Sequence, residues 1–132
     1  MAMITRNEYG VVAVNNSVLC KMIIDRLLRL DDVLLPCSRK GRPIRKGFFT
    51  GFNDYANAVE IIEKNSRILL RIYVLVRPED DVHAAAEKLF DGIEQDFALL
   101  SMDMPAEQIL HVKGSINKQE SAEETEIVRH HE

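Results

Sequence analysis

The chain has 132 residues, 46% of them hydrophobic and 29% charged, with two cysteines and a formal net charge of −4. That is the size and balance of one globular domain, and it excludes collagen-like, disordered and disulfide-scaffold proteins. No uncharged apolar run approaches the roughly 20 residues that span a bilayer, and Met1 to Gly10 holds no apolar stretch of signal-peptide length, so a soluble cytoplasmic protein is expected.

Residues 1–8 read as an N-terminal extension. Tyr9 to Val14 is strand-like and ends at Asn15-Asn16-Ser17, short polar side chains suited to accept from the first free amides of a helix. A helix is predicted from Ser17 to Leu30. Leu19, Ile23, Leu27 and Leu30 fall on one face, and Lys21, Asp25 and Arg29 alternate in sign on the other. Cys20 lies in this apolar pattern and Cys37 opens the next loop; neither belongs to a CxxC pair, and both read as unconnected structural thiols. Residues 38–47 form a basic loop, with Arg39, Lys40, Arg42, Arg45 and Lys46 interrupted by Gly41 and Pro43. So many cations broken by Gly and Pro predict a solvated loop, anchored on its far side by Phe48, Phe49 and Phe52.

Val59 to Glu63, the turn-forming triplet Lys64-Asn65-Ser66, and Arg67 to Val76 predict a hairpin. In its second strand Ile68, Leu70, Ile72, Val74 and Val76 make an unbroken apolar face. The opposite face carries Arg67, Leu69, Arg71, Tyr73, Leu75 and Arg77, half of it large and hydrophobic. Two readings of that mixed face stay open: a self-association surface, or a sheet face partly covered by a loop or tail. Pro78, with Glu79, Asp80 and Asp81, opens a helix that runs to about Leu100. Its core stripe is Val82, Ala86, Leu89, Ile93, Phe97 and Leu100, with Glu87, Asp91 and Glu94 on the solvent side. The last strand, Gln108 to Ile116, turns Leu110, Val112 and Ile116 inward and His111 and Lys113 outward. Residues 117–132 are rich in Glu and read as a flexible acidic tail. Residues 9–116 are thus expected to form a single α+β domain in the order β-α-β-β-α-β. The expected architecture is a two-layer sandwich, two helices on one face of a four-stranded sheet.

The small net charge hides a gradient. Residues 1–46 hold nine Lys and Arg against four Asp and Glu, residues 47–116 hold six against twelve, and residues 117–132 hold two against five. Such asymmetry makes a chain self-complementary or reserves one region for an anionic partner.

Catalytic motifs are missing from the sequence: it has no GxSxG turn, Walker loop or strand-linked GxGxxG. His83 has Glu87 one helical turn away but no nucleophile beside it, and His111 reads as a surface histidine of the outer sheet face. The Glu87, Asp91, Glu94 ridge reads as a solvated helix face. His130-His131-Glu132 can bind a divalent metal only loosely. The sequence therefore nominates no catalytic residue, metal ligand or cofactor, and a non-enzymatic protein is expected. Arg39, Lys40, Arg42, Arg45 and Lys46 form the one motif suited to a partner. They can neutralise phosphates of a nucleic acid, with Phe48 and Phe49 as stacking platforms. They can equally meet anionic lipid heads or the acidic helix of another copy.

The G-V-V-A-V strand of residues 10–14 runs straight into the apolar helix Val18 to Leu30, which ends in Leu30-Asp31-Asp32-Val33. A glycine-marked loop, the long β run Arg67 to Val76, an amphipathic helix and the closing strand I-L-H-V-K-G-S-I (109–116) follow. This order resembles the alkaline-shock-protein family, small cytosolic proteins of the Gram-positive cell-envelope stress response, over residues 9–116. The resemblance implies a non-enzymatic protein without cofactor that forms homo-oligomers. It also implies a partner that is itself anchored in the membrane, to which this chain would be peripheral. Two features depart from the family pattern: the loop after the first helix is unusually basic, and Arg77-Pro78-Glu79-Asp80 stands where the family shows a Tyr-Gly type of turn. The alternative function is a small nucleic-acid-binding module that uses the loop 39–46.

Overall fold

A computed structural model describes residues 2–7, 10–44, 52–77, 81–116 and 124–131, with secondary structure alone for 2–7, 10–15, 52 and 53. The fold is α+β: two long helices lie on one face of a mixed five-stranded sheet. The chain opens with β1 (Ala2–Asn7) and β2 (Gly10–Asn15), then α1 (Asn16–Leu28) and the short β3 (Leu34–Pro36). A four-residue helix, α2 (Phe52–Tyr55), and a 3-10 turn (Ala56–Ala58) precede β4 (Val59–Lys64) and β5 (Arg67–Val76). The chain ends with α3 (Val82–Leu99), β6 (Glu107–Ser115) and β7 (Thr125–His130).

The long strand β5 organises the sheet. It pairs with β6 in parallel along one edge, and on the other edge shares its length between β4, opposite Arg67–Ile72, and β3, opposite Val74–Val76, both antiparallel. The β4–β5 turn has two central residues, Asn65 and Ser66, with φ of 53° and 64°. Two left-handed positions in a two-residue loop match the twist of an antiparallel pair. The β5–α3–β6 crossover makes a parallel neighbour of β6. Asp81 caps α3 by accepting from the Ala84 amide at 3.0 Å.

The apolar face predicted for β5 is the core. Leu70, Ile72 and Val74 are fully buried, and with Leu110, Val112 and Ile127 they meet Leu19, Ile23 and Leu27 of α1 and Ala86, Leu89, Phe90, Ile93 and Phe97 of α3. Arg26 ties the helices together with a bidentate pair to Asp96, Nε to Oδ2 at 2.9 Å and Nη2 to Oδ1 at 2.8 Å. Gly92 makes room for it: a Cβ there would stand 2.9 Å from Arg26 Cδ.

Four expectations change. The sheet has five strands rather than four: β3 and β7 join it, while β2 leaves it to pair with the N-terminal segment, Ala2 opposite Asn15 through Asn7 opposite Gly10, in a separate two-stranded sheet. Residues 1–8 are therefore mostly a strand rather than an extension. Residues 125–130 of the expected flexible acidic tail form β7, which pairs along Glu107–Val112 of β6 and buries Ile127 in the core. Ile116, expected inward, packs on the opposite side of the sheet with Cys37, Tyr73 and Leu75. A register shift between Val74 and Leu75, which leaves Lys113 as an extra residue in β6, inverts the alternation beyond it. Among the described residues, no helix is long and apolar enough to cross a membrane.

Candidate functional site

The basic segment is an ordered hairpin as far as it is described, not a loose solvated loop. Ser38 N donates to Arg42 O at 2.9 Å, Gly41 N to Ser38 O at 2.9 Å, and Ile44 N to Pro36 O at 2.9 Å. The Ser38 hydroxyl adds a bond from Arg42 N at 3.2 Å. Gly41 follows Lys40 at φ 82°, the left-handed conformation that closes such a turn. Cys37 N donates to Tyr73 O at 3.0 Å, so the hairpin is pinned to β5. Arg39 and Lys40 thereby sit at a fixed tip. Arg45, Lys46, Phe48 and Phe49 lie outside the described residues.

Against the outer face of the sheet this hairpin and the start of β7 enclose a groove of about 700 Å³. Arg39, Tyr73, His111, Lys113, Glu124 and Glu126 line it. Its charges are paired with one another and with their neighbours on β4 and β5. Lys113 Nζ meets Glu124 Oε1 at 2.8 Å and His111 Nδ1 meets Glu126 Oε1 at 3.1 Å. Arg39 pairs with Glu60 of β4, whose other oxygen takes Arg71 Nη1 at 3.3 Å. The Tyr73 ring stacks on His111 with centroids 4.8 Å apart and planes 12° from parallel, which fixes the imidazole. The remaining nitrogen, Nε2, is buried and has no hydrogen-bond partner.

Burial holds His111 below the usual histidine range. The Arg71 and Lys113 cations push the same way, against Glu126 and Glu60. Its hydrogen bond to Lys113 pulls the Glu124 carboxyl down, and the same bond raises the Lys113 ammonium. Burial pushes the Cys37 thiol up to about 12, opposed by Lys113. No group of three or more His, Cys, Asp or Glu is placed to hold a metal ion among the described residues. A second concavity of about 480 Å³ lies on the other side of the hairpin, between Arg39, Lys40 and Arg42 and the Ala56–Asn57 turn.

The residues predicted for self-association divide. Tyr73 and Leu75 are only 8% and 6% exposed, covered within the chain by Cys37 and the partly buried Leu35 and Ile116. They offer no free surface, and covering by a loop is the reading that holds for this half of the face. Arg71 is exposed and paired with Glu60. Leu69 is half-buried in the open half, where strand register sets it opposite Ile62 and diagonal to Ile109, itself opposite Val128. These four form an apolar stripe across β4, β5, β6 and β7. Ile109 was legible from strand alternation; Val128 was hidden in the segment read as a tail.

The acidic ridge of α3 keeps Glu87 and Asp91 exposed, as expected, but it is also bridged by a cation. Arg129 of β7 reaches Asp91 Oδ1 at 2.7 Å and Glu94 Oε1 at 3.1 Å, pairs with Glu87, and lies 5.3 Å from the centre of the Phe90 ring. Nothing in the composition of the C-terminal segment marked Arg129 for this position. His83 is exposed at the first turn of α3, and His130 pairs with Glu107 at 3.2 Å.

No protein-family model, curated protein or solved structure matches the chain.

Proposed function

We propose that this chain is a non-enzymatic interaction protein, of the kind the alkaline-shock resemblance implies, acting through self-association and protein partners. The observation that supports this reading is the stripe Ile62, Leu69, Ile109 and Val128. It crosses four strands of a sheet whose other face is filled by helices, and no described element lies over it. Val128 is 42% exposed and continues a run of three half-buried apolar side chains, a contiguous patch rather than a single exposed residue. A second copy is the occupant that fits best. The stripe is flanked by both signs of charge, Arg71 with Glu60 on one side and Glu107 with His130 on the other. A two-fold axis through it can set acidic groups of one copy against basic groups of the other. On this reading the protein is cytoplasmic, and any membrane contact runs through a separate protein.

Light scattering across protein concentration, at low and high salt, tests the reading. The expected result is a dimer or larger species that survives high salt, and a monomer when Leu69 and Ile109 are both changed to Lys. A wild-type monomer at the highest concentration reached sinks it.

A nucleic-acid module is the second reading, supported by the exposed Lys40 and Arg42 on a fixed hairpin tip. Such binding would be sequence-independent and would weaken steeply with salt. If Lys40→Glu with Arg42→Glu leaves retention of single-stranded RNA unchanged, or there is none to lose, this reading goes.

A further inference from the structure

We propose that the groove between the 36–44 hairpin and the start of β7 is a binding site for a small phosphoryl-bearing anion. The proposal goes beyond self-association, because the groove lies on the hairpin-covered half of the outer face.

Its first support is convergence. Arg39 from the hairpin and Lys113 and His111 from β6 line one concavity although they come from distant parts of the chain. Arg39 brings a planar fork of donors and Lys113 a compact charge, the two complementary ways of holding phosphoryl oxygens. The second support is an unmet group. His111 gives Nδ1 to Glu126, is held by Tyr73, and leaves Nε2 buried without a partner. Buried polar atoms are nearly always satisfied; with the ring proton on Nδ1, Nε2 is an acceptor, and the P–OH of a singly protonated phosphoryl group is a donor that can meet it.

The third support is what occupies these groups now. Lys113 and His111 are each met by a carboxylate, Glu124 just before β7 and Glu126 within it, which are 68% and 54% exposed. A carboxylate is itself an oxyanion, so these contacts show where oxyanions sit. Exposed single pairs of this kind are weak and screened by salt. A phosphoryl group carries up to two charges and three strong acceptor oxygens, and can replace both carboxylates at once.

A small anion fits better than a polymer. Glu124 and Glu126 line the groove with negative charge that a long polyanion would have to pass. Tyr73 is 8% exposed and stacked on His111, so it has no free face for a base.

The test is a titration of the full chain, followed by amide and imidazole NMR signals in phosphate-free buffer at constant ionic strength. Inorganic phosphate, glycerol phosphate and an oligouridylate are the probes. The expected result is saturable shifts at Arg39, His111 and Lys113 with phosphate, glycerol phosphate or both. Equal affinities identify the free anion as the ligand, and a tighter phosphomonoester shows that the rest of its molecule contributes. Lys113→Gln and Arg39→Gln should each weaken binding by about tenfold, the loss of one charge-assisted contact. Glu124→Gln with Glu126→Gln should tighten it, a gain that an unfolded variant cannot mimic. Shifts no larger than chloride produces, binding of the oligouridylate alone, or an affinity indifferent to the double Glu→Gln change would each overturn the proposal.

Discussion

The two faces of the central sheet treat charge differently. On the helix face, Arg129 is 21% exposed, lies over Phe90 and is shared among three carboxylates of α3. Arg26 is likewise held by both oxygens of Asp96. On the outer face the pairs in the groove are mostly single contacts between one cation and one carboxylate, and Glu124 and Glu126 are largely in water. Exposure does not separate the faces, since Lys113 is also 21% exposed; the number of contacts does, because cations shared among several carboxylate oxygens fasten elements together, whereas single pairs leave groups that a ligand or partner can claim. The helix face is therefore the part of the molecule that sets stability, and the outer face the part free to bind.

The largest break in that contrast should come from two neighbours on β5. Leu70 is fully buried between the helices, and Leu70→Ala should cost about 3 kcal/mol, the transfer and cavity terms together. Leu69, one residue away on the outer face and half-buried, should cost under about 1 kcal/mol when cut to Ala. Urea unfolding at low protein concentration reads both; equal losses would mean that the outer face is as closed as the inner one. Arg129→Ala comes next. It leaves Glu87, Asp91 and Glu94 facing one another beneath β7, so the loss should fall between that of a surface pair and that of a buried one, about 2 kcal/mol. Early hydrogen exchange of the β7 amides should accompany it. A loss no larger than for Lys113→Ala would remove the distinction between the faces.

How much of this was legible depends on the distance over which each signal acts. The β5 core face, both long helices and the β4–β5 hairpin follow from local periodicity and turn chemistry, and they stand in the structure close to where the residues placed them. The β7 strand did not emerge, because Ile127, Val128 and Arg129 sit in a stretch whose overall composition is acidic. Only pairing with β6 and the carboxylates of α3 make that short segment a strand. Ile116 is misplaced for a different reason: a bulge at Lys113 reverses the alternation, and the glycine beside it, Gly114, is the one local sign of it. The groove is legible only in part. Arg39 and Lys113 stand out as cations, but their meeting at His111 depends on the hairpin docking at Tyr73, a contact between residues far apart in the chain.

A smaller effect separates the two thiols. Cys37 is fully buried beside Tyr73 and Leu75, and burial raises its thiol to about 12. Cys20 is half-buried on α1 and is raised less. Because the thiolate is the reactive form, a thiol reagent at pH 8 should label Cys20 slowly and Cys37 only when the hairpin opens. Mass analysis of a time course under native conditions distinguishes them. Labelling of Cys37 at the faster rate would mean that the 36–44 hairpin is not held on the sheet.

The smallest expected effect bears most directly on the outer face. His111 is held below the ordinary histidine value, first by burial and then by Arg71 of β5 and Lys113 of its own strand, against Glu126 of β7 and Glu60 of β4. Arg39 faces it from the hairpin across the groove. Between the ordinary value of about 6.5 and the lowered one, the unfolded chain binds a proton that the folded chain does not. Stability contributed by this residue therefore rises with pH across that window and is lost as pH falls through it. Unfolding free energies measured on the acid side of pH 6.5 should fall less steeply in His111→Asn than in the wild type. Removing the one carboxylate that contacts the ring, by Glu126→Gln, should lower the His111 titration further and steepen the fall, while Lys113→Gln should do the reverse. If Glu126→Gln instead left the His111 titration where it was, the carboxylate would not be acting on the imidazole. The groove would then have lost the contact that marks it as a place where an oxyanion sits.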